Sequence, residues 1–357
     1  MSDKPLDGKR VLITGGTGSV GQVLVRRLLS GEMGKVRKVI VFSRDEAKQH
    51  AMRVAYLKKR AVTDEVIYRQ WESALEFRIG DVRDFHSVAS ALTNAEVVFN
   101  AAALKQVPTC EYFPHEAVLT NVGGAENIVR AIELHGLEVE TVVGISTDKA
   151  CKPVNVMGMS KGIQERILTH GNMRCPETRF ICVRYGNVLA ARGSVIPLFV
   201  EQIRSGGPVT ITMPEMTRFL LTLDQAVDAI FAAVRTAERG EVYVPRVPSA
   251  KVTDIAAALI GDRPIQVIMT GIRPGEKLHE ILVSEEEIHR TRERAGYYAI
   301  LPILPELRSS RDDGEAPLSG EYSSSQALMD VPELVALLKG NRLSVDELLP
   351  GERELLR

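Results

Sequence analysis

The chain has 357 residues, of which 45% are hydrophobic and 25% charged, a composition typical of a globular protein of about two domains. Its 45 Lys and Arg residues nearly balance its 46 Asp and Glu residues, and no apolar run is long enough to span a bilayer, so we expect no nucleic acid partner, no membrane insertion and a cytoplasmic protein. No CxxC spacing occurs among the cysteines, which argues against a metal site and a disulfide framework: Cys110, Cys151, Cys175 and Cys182.

The first part of the chain alternates short apolar runs with helical patterns, which predicts an α/β fold. Near-continuous Val and Ile runs are typical of parallel strands covered by helices on both faces. We therefore predict a doubly wound, Rossmann-type parallel sheet over residues 1–187. Six strands are predicted, at Val11–Thr14, Val39–Phe42, Phe77–Ile79, Val97–Phe99, Thr141–Ile145 and Phe180–Val183.

The remaining residues form a looser pattern of shorter elements, which predicts a smaller substrate-binding lobe from 188–221 and 240–307. A clean helical pattern at about 222–239 is expected to pack back on the sheet. Residues 308–357 read as a connector, flexible over its Ser- and Gly-rich part at 308–324, followed by a helix at Val331–Leu338.

A glycine pattern follows the first strand and opens the first helix. Glycine permits a tight turn and a close approach of backbone to phosphate, and a helix N-terminus offers free N–H groups to a pyrophosphate. The sequence therefore predicts a dinucleotide site formed by Gly15, Thr17, Gly18, Ser19, Val20 and Gly21.

The end of the second strand indicates which dinucleotide binds. Ser43, Arg44 and Lys48 suit the 2′-phosphate of NADP, although Asp45 would suit the ribose hydroxyl of NAD, so NADP is preferred and NAD remains the alternative. Further cofactor contacts are expected after the third and fourth strands, at Asp81, Val82, Ala101, Ala102 and Ala103.

The glycine pattern, Asn100 with the alanines after it, and Lys161 together resemble the extended short-chain dehydrogenases/reductases. In that family a tyrosine four residues before the lysine is the usual base, and the lysine holds the nicotinamide ribose. Here that position is Met157, whose thioether cannot transfer a proton. A subgroup with methionine at this place, the UDP-N-acetylglucosamine 4,6-dehydratases of capsule and flagellin-glycan synthesis, is similar nearly end to end. The shared motifs are TGGTGSVG, FSRDE, GDVRD, AAALKQVP, STDKA, NVMGMSK, RYGNV, RGSVIPLF, MTRF and RPGEK.

This resemblance implies C4 oxidation by NADP, loss of water across C5 and C6, and return of hydride to C6. It implies Lys149 as the base at C5 and Asp148 as the acid at C6, with Asp148 or a relay through Thr147 taking the C4 hydroxyl proton. A lysine base near pH 7–8 needs a pKa well below its usual value of about 10.4. We expect burial and the charge of Lys161 to lower the pKa of Lys149, and Asp148 to raise it.

Candidate contacts to the substrate follow the sixth strand. Arg218 and Arg273 suit the UDP phosphates, and Glu276 suits a ribose hydroxyl, although each arginine could instead form a surface ion pair. Lys105 is assigned to either substrate or cofactor. The other substrate-binding candidates are Asn187, Ser194, Val195 and Pro197, and the other cofactor-binding candidates are Asn121, Lys161, Tyr185, Asn187 and Val188.

The Lys105-Gln106 pair and the short length resemble the C5-inverting members. Relatives form dimers and hexamers, so the resemblance implies that this protein is a homo-oligomer, a dimer or a hexamer. UDP-N-acetylglucosamine is thus the expected substrate. Three alternatives stay open: a retaining 4,6-dehydratase, a UDP-sugar 4-epimerase, which needs no acid at C6, and a non-catalytic NADP-binding regulator, which the missing tyrosine suggests.

Overall fold

The computed structural model describes residues 4–60, 74–189, 194–308 and 314–347. Within these residues a central sheet of nine strands has the order β13-β14-β9-β6-β5-β4-β1-β2-β3. Its strands are β1 (Arg10–Thr14), β2 (Lys38–Ser43), β3 (Leu75–Ile79), β4 (Val97–Asn100), β5 (Thr141–Thr147), β6 (Arg179–Tyr185), β9 (Val242–Val244), β13 (Thr291–Arg294) and β14 (Tyr297–Ile300).

The strands from β1 to β6 are parallel, and their order 3-2-1-4-5-6 is that of a dinucleotide-binding fold. Strand β9 continues the sheet in parallel beside β6, whereas β14 and β13 are antiparallel at the edge. The apolar runs are buried because helices cover both faces; Val11 and Ile13 in β1, and Val98 and Phe99 in β4, are fully buried. The predicted fold class is confirmed.

Helices form a layer on each face of this sheet. Leu24, Val25 and Leu28 form the buried stripe of α1, which contacts α9 on one face, while α3, α6 and α7 pack together on the other. The helices are α1 (Ser19–Leu29), α2 (Glu46–Arg60), α3 (Phe85–Leu92), α4 (Val107–Tyr112), α5 (Pro114–Ala117), α6 (Gly124–His135), α7 (Val156–Arg174), α8 (Val195–Arg204), α9 (Leu223–Thr236), α10 (Val252–Ile260), α11 (Glu285–Ile288) and α12 (Val331–Gly340).

A second hydrophobic core lies between α8, α10 and α12, where Phe199, Ile255 and Leu334 are buried together. Short strand pairs complete this lobe: parallel β7–β11, antiparallel β8–β10 and antiparallel β12–β15. These strands are β7 (Val209–Ile211), β8 (Thr217–Phe219), β10 (Ser249–Lys251), β11 (Val267–Met269), β12 (Ile281–Val283) and β15 (Tyr322–Ser323). No helix of the described residues is long and apolar enough to cross a membrane.

The structure differs from the predicted lobe in one respect. Strands β9, β13 and β14 lie within 240–307, yet they extend the central sheet, and the buried side chains of β9 and β14 join its core. The connector at 308–324 is also less free than its composition suggests, since Tyr322 is buried and pairs with β12; residues 309–313 lie outside the described residues.

Candidate active site

A cleft of about 800 Å³ runs along the carboxyl ends of the parallel strands and into the lobe. It is centred where β1 and β4 lie side by side and the strand order reverses. Open α/β sheets bind ligands at this place because the turns after the two strands diverge there and leave a crevice.

Two glycines that follow β1, Gly15 and Gly21, have no room for a side chain. Gly15 has a φ of +65°, and a Cβ on it would lie 2.8 Å from the Ala102 Cα. A Cβ on Gly21 would lie 2.6 Å from the Gly16 Cα. Strand β1, the start of α1 and the turn after β4 therefore meet closely, and the N-terminus of α1 opens into a cradle that fits a pyrophosphate.

At the end of β2, Arg44 reaches the cleft with 55% of its side chain exposed, and its Nη1 lies 3.7 Å from Asp81 Oδ2. The Lys48 Nζ lies 3.0 Å from Asp45 Oδ2. Two hydrogen bonds from Lys48 lower the pKa of Asp45: the larger effect comes from the backbone N–H and the next from the side chain. Asp45 therefore forms an ion pair with Lys48, and the neighbouring Arg44 lines the cleft.

The end of β5 carries a cluster of charged groups around Lys149. The Lys149 Nζ lies 3.0 Å from Asp148 Oδ1 and 3.0 Å from Glu280 Oε1, and it donates to Asn187 Oδ1 at 3.2 Å. The Thr147 hydroxyl donates to Asp148 Oδ1 at 2.9 Å. Lys149, Glu280 and Thr147 line the cleft, so an amine, a carboxylate and a hydroxyl face any ligand bound there.

Asp148 does not line the cleft, contrary to its expected direct role as acid. Its side chain is 1% exposed and lies behind Lys149, and its Oδ2 has no hydrogen-bond partner among the described residues. The absence of a side chain at Gly186 allows this packing, since a Cβ there would lie 3.3 Å from Asp148 Oδ2. Burial raises the pKa of the Asp148 carboxyl. Proton exchange with a ligand must therefore pass through Thr147 or Lys149.

The opposing effects of burial and Asp148 on the Lys149 pKa are as expected, but the net shift is away from the low value that a base near neutral pH needs. Burial does act to lower the pKa of Lys149, but the charges of Asp148 and Glu280 outweigh it, and the net direction is upward. Burial acts to raise the pKa of Glu280, yet the charges of Lys149 and Arg218 prevail and lower it. The sequence analysis missed Glu280 because this residue is far from Lys149 in sequence and only the fold brings the two together. The one signal in the sequence for a functional residue here was a carboxylate directly before the apolar strand β12.

Lys161 lies within the sheet–helix layer below the cleft. Its Nζ donates to the Ile145 carbonyl oxygen at 2.5 Å and to Gln164 Oε1 at 2.7 Å, and the residue is 5% exposed. Burial lowers the pKa of Lys161 from 10.5 to about 8. Lys161 lines the cleft, as its predicted place beside the nicotinamide ribose requires.

This low pKa predicts a pH-dependent stability. Between pH 8 and 10.5 the unfolded chain holds a proton on Lys161 that the folded protein has lost, so the free energy of unfolding rises with pH, by about 3 kcal/mol over the whole window. The Lys161→Met variant lacks this contribution. In urea unfolding at pH 7.5 and pH 10, the wild-type protein should therefore gain stability relative to the variant at the higher pH; a difference that does not change with pH would contradict the assignment.

Met157 occupies the position of the family tyrosine. It is 5% exposed and packs against Cys110 and Ala117, with one edge on the cleft. Its carbonyl oxygen accepts a hydrogen bond from Ser160 Oγ at 2.8 Å. The side chain therefore contributes to the shape of the cleft and has no group that can transfer a proton.

Most of the predicted residues are brought together around this cleft. Those that line it are Gly15, Thr17, Gly18, Ser19, Val20, Gly21, Ser43, Arg44, Asp45, Lys48, Asp81, Val82, Ala101, Ala102, Ala103, Lys105, Thr147, Lys149, Met157, Lys161, Tyr185, Asn187, Val188, Ser194, Val195, Arg218, Arg273 and Glu276.

Two further predictions are corrected. Asn121 is 1% exposed, and its amide is used by the Leu104 backbone and by Ser160 Oγ, so it supports the turn after β4 instead of contacting the cofactor. Pro197 does not line the cleft. Residues three and four apart share a helix face, and Val195 of α8 therefore faces the cleft with Leu198 and Phe199, which were not predicted.

At the substrate end, Arg218 is 8% exposed, and its Nη1 donates to the carbonyl oxygens of Thr217, Lys277 and Leu278, so it also ties the lobe together. The Ser194 hydroxyl is buried and has no hydrogen-bond partner within the described part of the chain, which leaves it available to a ligand. Thr210 and Thr212 of the lobe also line the cleft and were not predicted.

Arg184 directly precedes Tyr185, one of the predicted cofactor contacts. This residue is 2% exposed and lies in a buried ion cluster with Glu165 at 2.7 Å and Glu287 at 2.8 Å. Glu165 accepts in turn from Ser146 Oγ at 2.5 Å. The cluster joins α7 and α11 to β6 and positions the residue before Thr147, so its contribution to the site is support.

Comparisons with known proteins agree with this geometry. Residues 11–302 match the family described as polysaccharide biosynthesis protein. A UDP-glucose 4-epimerase of Rickettsia conorii is 43% identical over 297 residues, 82% of each chain, and one of Rickettsia bellii is 41% identical over the same lengths.

Solved structures share the fold. Pen from Bacillus thuringiensis is 32% identical, with a TM-score of 0.82 over 95% of this chain and 99% of its own. A dTDP-glucose 4,6-dehydratase from Streptomyces venezuelae, solved with NAD bound, is 22% identical, with a TM-score of 0.62 over 75% of this chain and 86% of its own. The likenesses confirm the doubly wound fold and support the resemblance to the extended short-chain dehydrogenases/reductases.

Proposed function

The chain belongs to the polysaccharide biosynthesis protein family, and from that premise we propose that it is a 4,6-dehydratase that acts on UDP-N-acetylglucosamine and inverts C5. The observation that carries this proposal is the group of side chains after β5. Lys149 faces the cleft between two carboxylates, with the Thr147 hydroxyl beside it. Dehydration needs a base at C5 and an acid at C6, whereas 4-epimerisation needs proton transfer only at the C4 hydroxyl.

The cradle at Gly15 and Gly21 fits a dinucleotide, because a Cβ at either place would collide with backbone. NADP⁺ held there would supply the acceptor for the C4 hydride and the donor that returns it to C6. Thr147 is placed to pass the C4 hydroxyl proton to Asp148, since its hydroxyl already donates to that carboxylate. The 4-ketone of the substrate makes the C5–H acidic, and the amine form of Lys149 removes that proton. The proton on Asp148 then returns through the Thr147 hydroxyl to the C6 hydroxyl, which leaves as water.

This assignment balances the protons. The proton that Asp148 receives from the C4 hydroxyl is the one that departs with the C6 oxygen, and Lys149 holds the C5 proton. Burial raises the pKa of Asp148, which favours its service as an acid. Inversion requires C5 to regain a proton on the face opposite Lys149, and Lys105 lines the cleft as a candidate for that side.

The cofactor is proposed to be NADP, with NAD as the alternative. Support comes from Arg44, whose guanidinium extends at the end of β2 and can form charge-assisted bonds to a 2′-phosphate. The Arg44→Ser variant is expected to weaken NADP binding about tenfold or more and to leave NAD binding within about twofold. Titration of tryptophan or cofactor fluorescence with each dinucleotide measures both values; equal weakening of NADP and NAD would contradict the assignment.

A 4-epimerase is the second candidate, favoured by the names of the relatives from Rickettsia. A dehydratase and a 4-epimerase would make different products from the same class of substrate, the UDP-sugars.

We also propose that the protein forms a homo-oligomer. Apolar side chains are exposed at the end of α4 and on α7, where they could pack against a second copy: Tyr112, Phe113, Met159 and Ile163.

Product analysis tests the proposed function. The protein is incubated with NADP⁺ and either UDP-N-acetylglucosamine or UDP-glucose in deuterium oxide, and the products are identified by NMR. We expect a 4-keto-6-deoxy sugar nucleotide from UDP-N-acetylglucosamine, with deuterium at C5 and an inverted configuration there. A mixture of C4 epimers that retain the C6 hydroxyl would instead establish the epimerase, and retained configuration at C5 would establish a retaining dehydratase.

A further inference from the structure

The geometry around Lys149 assigns a role to Glu280 that deepens the proposed function and rests on it. Glu280 lies directly before β12, is 2% exposed, and places Oε1 3.0 Å from the Lys149 Nζ. Asp148 Oδ1 lies at the same distance from that nitrogen, and Asn187 Oδ1 at 3.2 Å. An ammonium has three N–H groups, and these three oxygens accept all of them.

Both carboxylates also carry an oxygen that the described residues leave unsatisfied, namely Asp148 Oδ2 and Glu280 Oε2. Buried carboxylates persist as charges only beside a compensating cation. Lys149 is the cation that contacts both, while Arg218 lies further away, with Nε 3.9 Å from Glu280 Oε1. Lys277 acts on Glu280 through its charge and donates to the Cys151 carbonyl.

We propose that Glu280 is a positioning residue that, together with Asp148, clamps Lys149 as an ammonium at the cleft surface and so sets the pH above which Lys149 can act as the C5 base. The aliphatic stem of Lys149 is thereby fixed with its nitrogen between two elements, the turn after β5 and the segment before β12. Lys149 must lose one proton before turnover, and the negative charges of both carboxylates stabilise its protonated form. With a neutral side chain at position 280, Lys149 would lose this proton at a lower pH.

The direction follows from the charges that face Lys149. Asp148 and Glu280 favour the ammonium, whereas burial and the charge of Arg218 favour the amine, and Lys277 is a further cation near the cluster. Neutralising Glu280, whose carboxylate lies 3.0 Å from the Lys149 nitrogen, weakens only the stabilisation of the ammonium form. Even with the dielectric constant of water, one unit charge at this distance corresponds to a change of about one pH unit.

The direct test measures Lys149 itself, without turnover. The ligand-free protein is labelled with trace acetic anhydride across pH 7–12, and mass spectrometry of the peptide gives the fraction of Lys149 in the amine form at each pH. The midpoint in Glu280→Gln and in Glu280→Ala is expected to fall by about one pH unit or more relative to wild type. Glu280→Asp, which keeps the charge, is expected to restore most of the shift.

Two references make the result specific. Lys152, three residues away and exposed to solvent, is labelled in the same experiment and should not change its midpoint. Glu285→Gln, at an exposed glutamate near Lys152, should leave Lys149 unchanged. An unchanged or raised Lys149 midpoint in the two neutral variants, measured on protein that still unfolds cooperatively, overturns the role of Glu280.

The pH profile of kcat/KM then links this role to catalysis. Its acidic limb should move to lower pH in Glu280→Gln in step with the labelling midpoint, whereas a merely structural loss would lower the rate without moving the limb. A labelling shift in a protein that forms no keto product would leave Glu280 as the clamp of Lys149 and reject the dehydratase. A keto product without a labelling shift would support the dehydratase and reject the role of Glu280.

Discussion

The Lys149→Arg variant is expected to bind NADP and UDP-N-acetylglucosamine and to lose about 10²- to 10⁴-fold in dehydration rate, the usual contribution of a general base. Arginine keeps a positive charge between Asp148 and Glu280, so the ion pairs that stabilise the site persist. A guanidinium cannot give up its proton at working pH and therefore cannot remove the C5 proton. The substitution thus separates the charge of Lys149 from its chemistry.

The same substitution at Lys152 is the matched control. Lys152 lies three residues further on, is partly exposed, and pairs with Glu321 at 2.9 Å outside the cleft. Lys152→Arg should keep the wild-type rate. Initial rates of keto-product formation and binding titrations for both variants decide the matter, and a Lys149→Arg enzyme that keeps more than about a tenth of the wild-type rate is incompatible with a base at this position.

The Gly15→Ala variant is expected to weaken NADP binding by at least about 100-fold, equal to about 2.7 kcal/mol. Two effects combine at this position. The φ of +65° strains any residue with a Cβ, and that Cβ would lie 2.8 Å from backbone atoms of Ala102, the opposite wall of the cleft. Because backbone cannot move aside as a flexible side chain can, the crevice between β1 and β4 must change its shape.

Gly31→Ala separates these two effects. Gly31 also has a positive φ, of +82°, but a Cβ there would meet no atom within 4 Å. Both variants should lose about 1–2 kcal/mol of stability from the strained backbone, and only Gly15→Ala should lose the cofactor. Thermal unfolding with and without NADP measures both quantities. Full stabilisation of Gly15→Ala by NADP would place the dinucleotide elsewhere.

The elements that the sequence predicts well are those decided by local pattern. Five of the parallel strands, β1, β2, β4, β5 and β6, could be predicted because their apolar runs are covered on both faces. The glycine turn could be predicted because its chemistry is contained within seven residues. Strands β9, β13 and β14 could not be placed in the central sheet, since each is three or four residues long. The hairpin of β13 and β14 joins the sheet only through β9, which is distant from it in sequence.

The site was predicted as a set of residues, but its internal contacts were not. Motif resemblance predicted Thr147, Asp148 and Lys149 as site residues, yet only the fold places Asp148 behind Lys149 and brings Glu280 to the same nitrogen. This second carboxylate adds to the effect of Asp148 in raising the pKa of Lys149. Contacts between elements far apart in the chain decide such electrostatics, and composition or spacing carries no record of them.

The path of the hydride is the central claim, and deuterium at C4 of the substrate traces it directly. The enzyme with NADP⁺ is given [4-²H]-UDP-N-acetylglucosamine in ordinary water, and the product is examined by NMR and mass spectrometry. We predict that the deuterium appears in the C6 methyl group of a 4-keto product, because the hydride taken from C4 returns to C6 after Lys149 and Asp148 have removed water. Deuterium that remains at C4, in a mixture of C4 epimers, would contradict this mechanism.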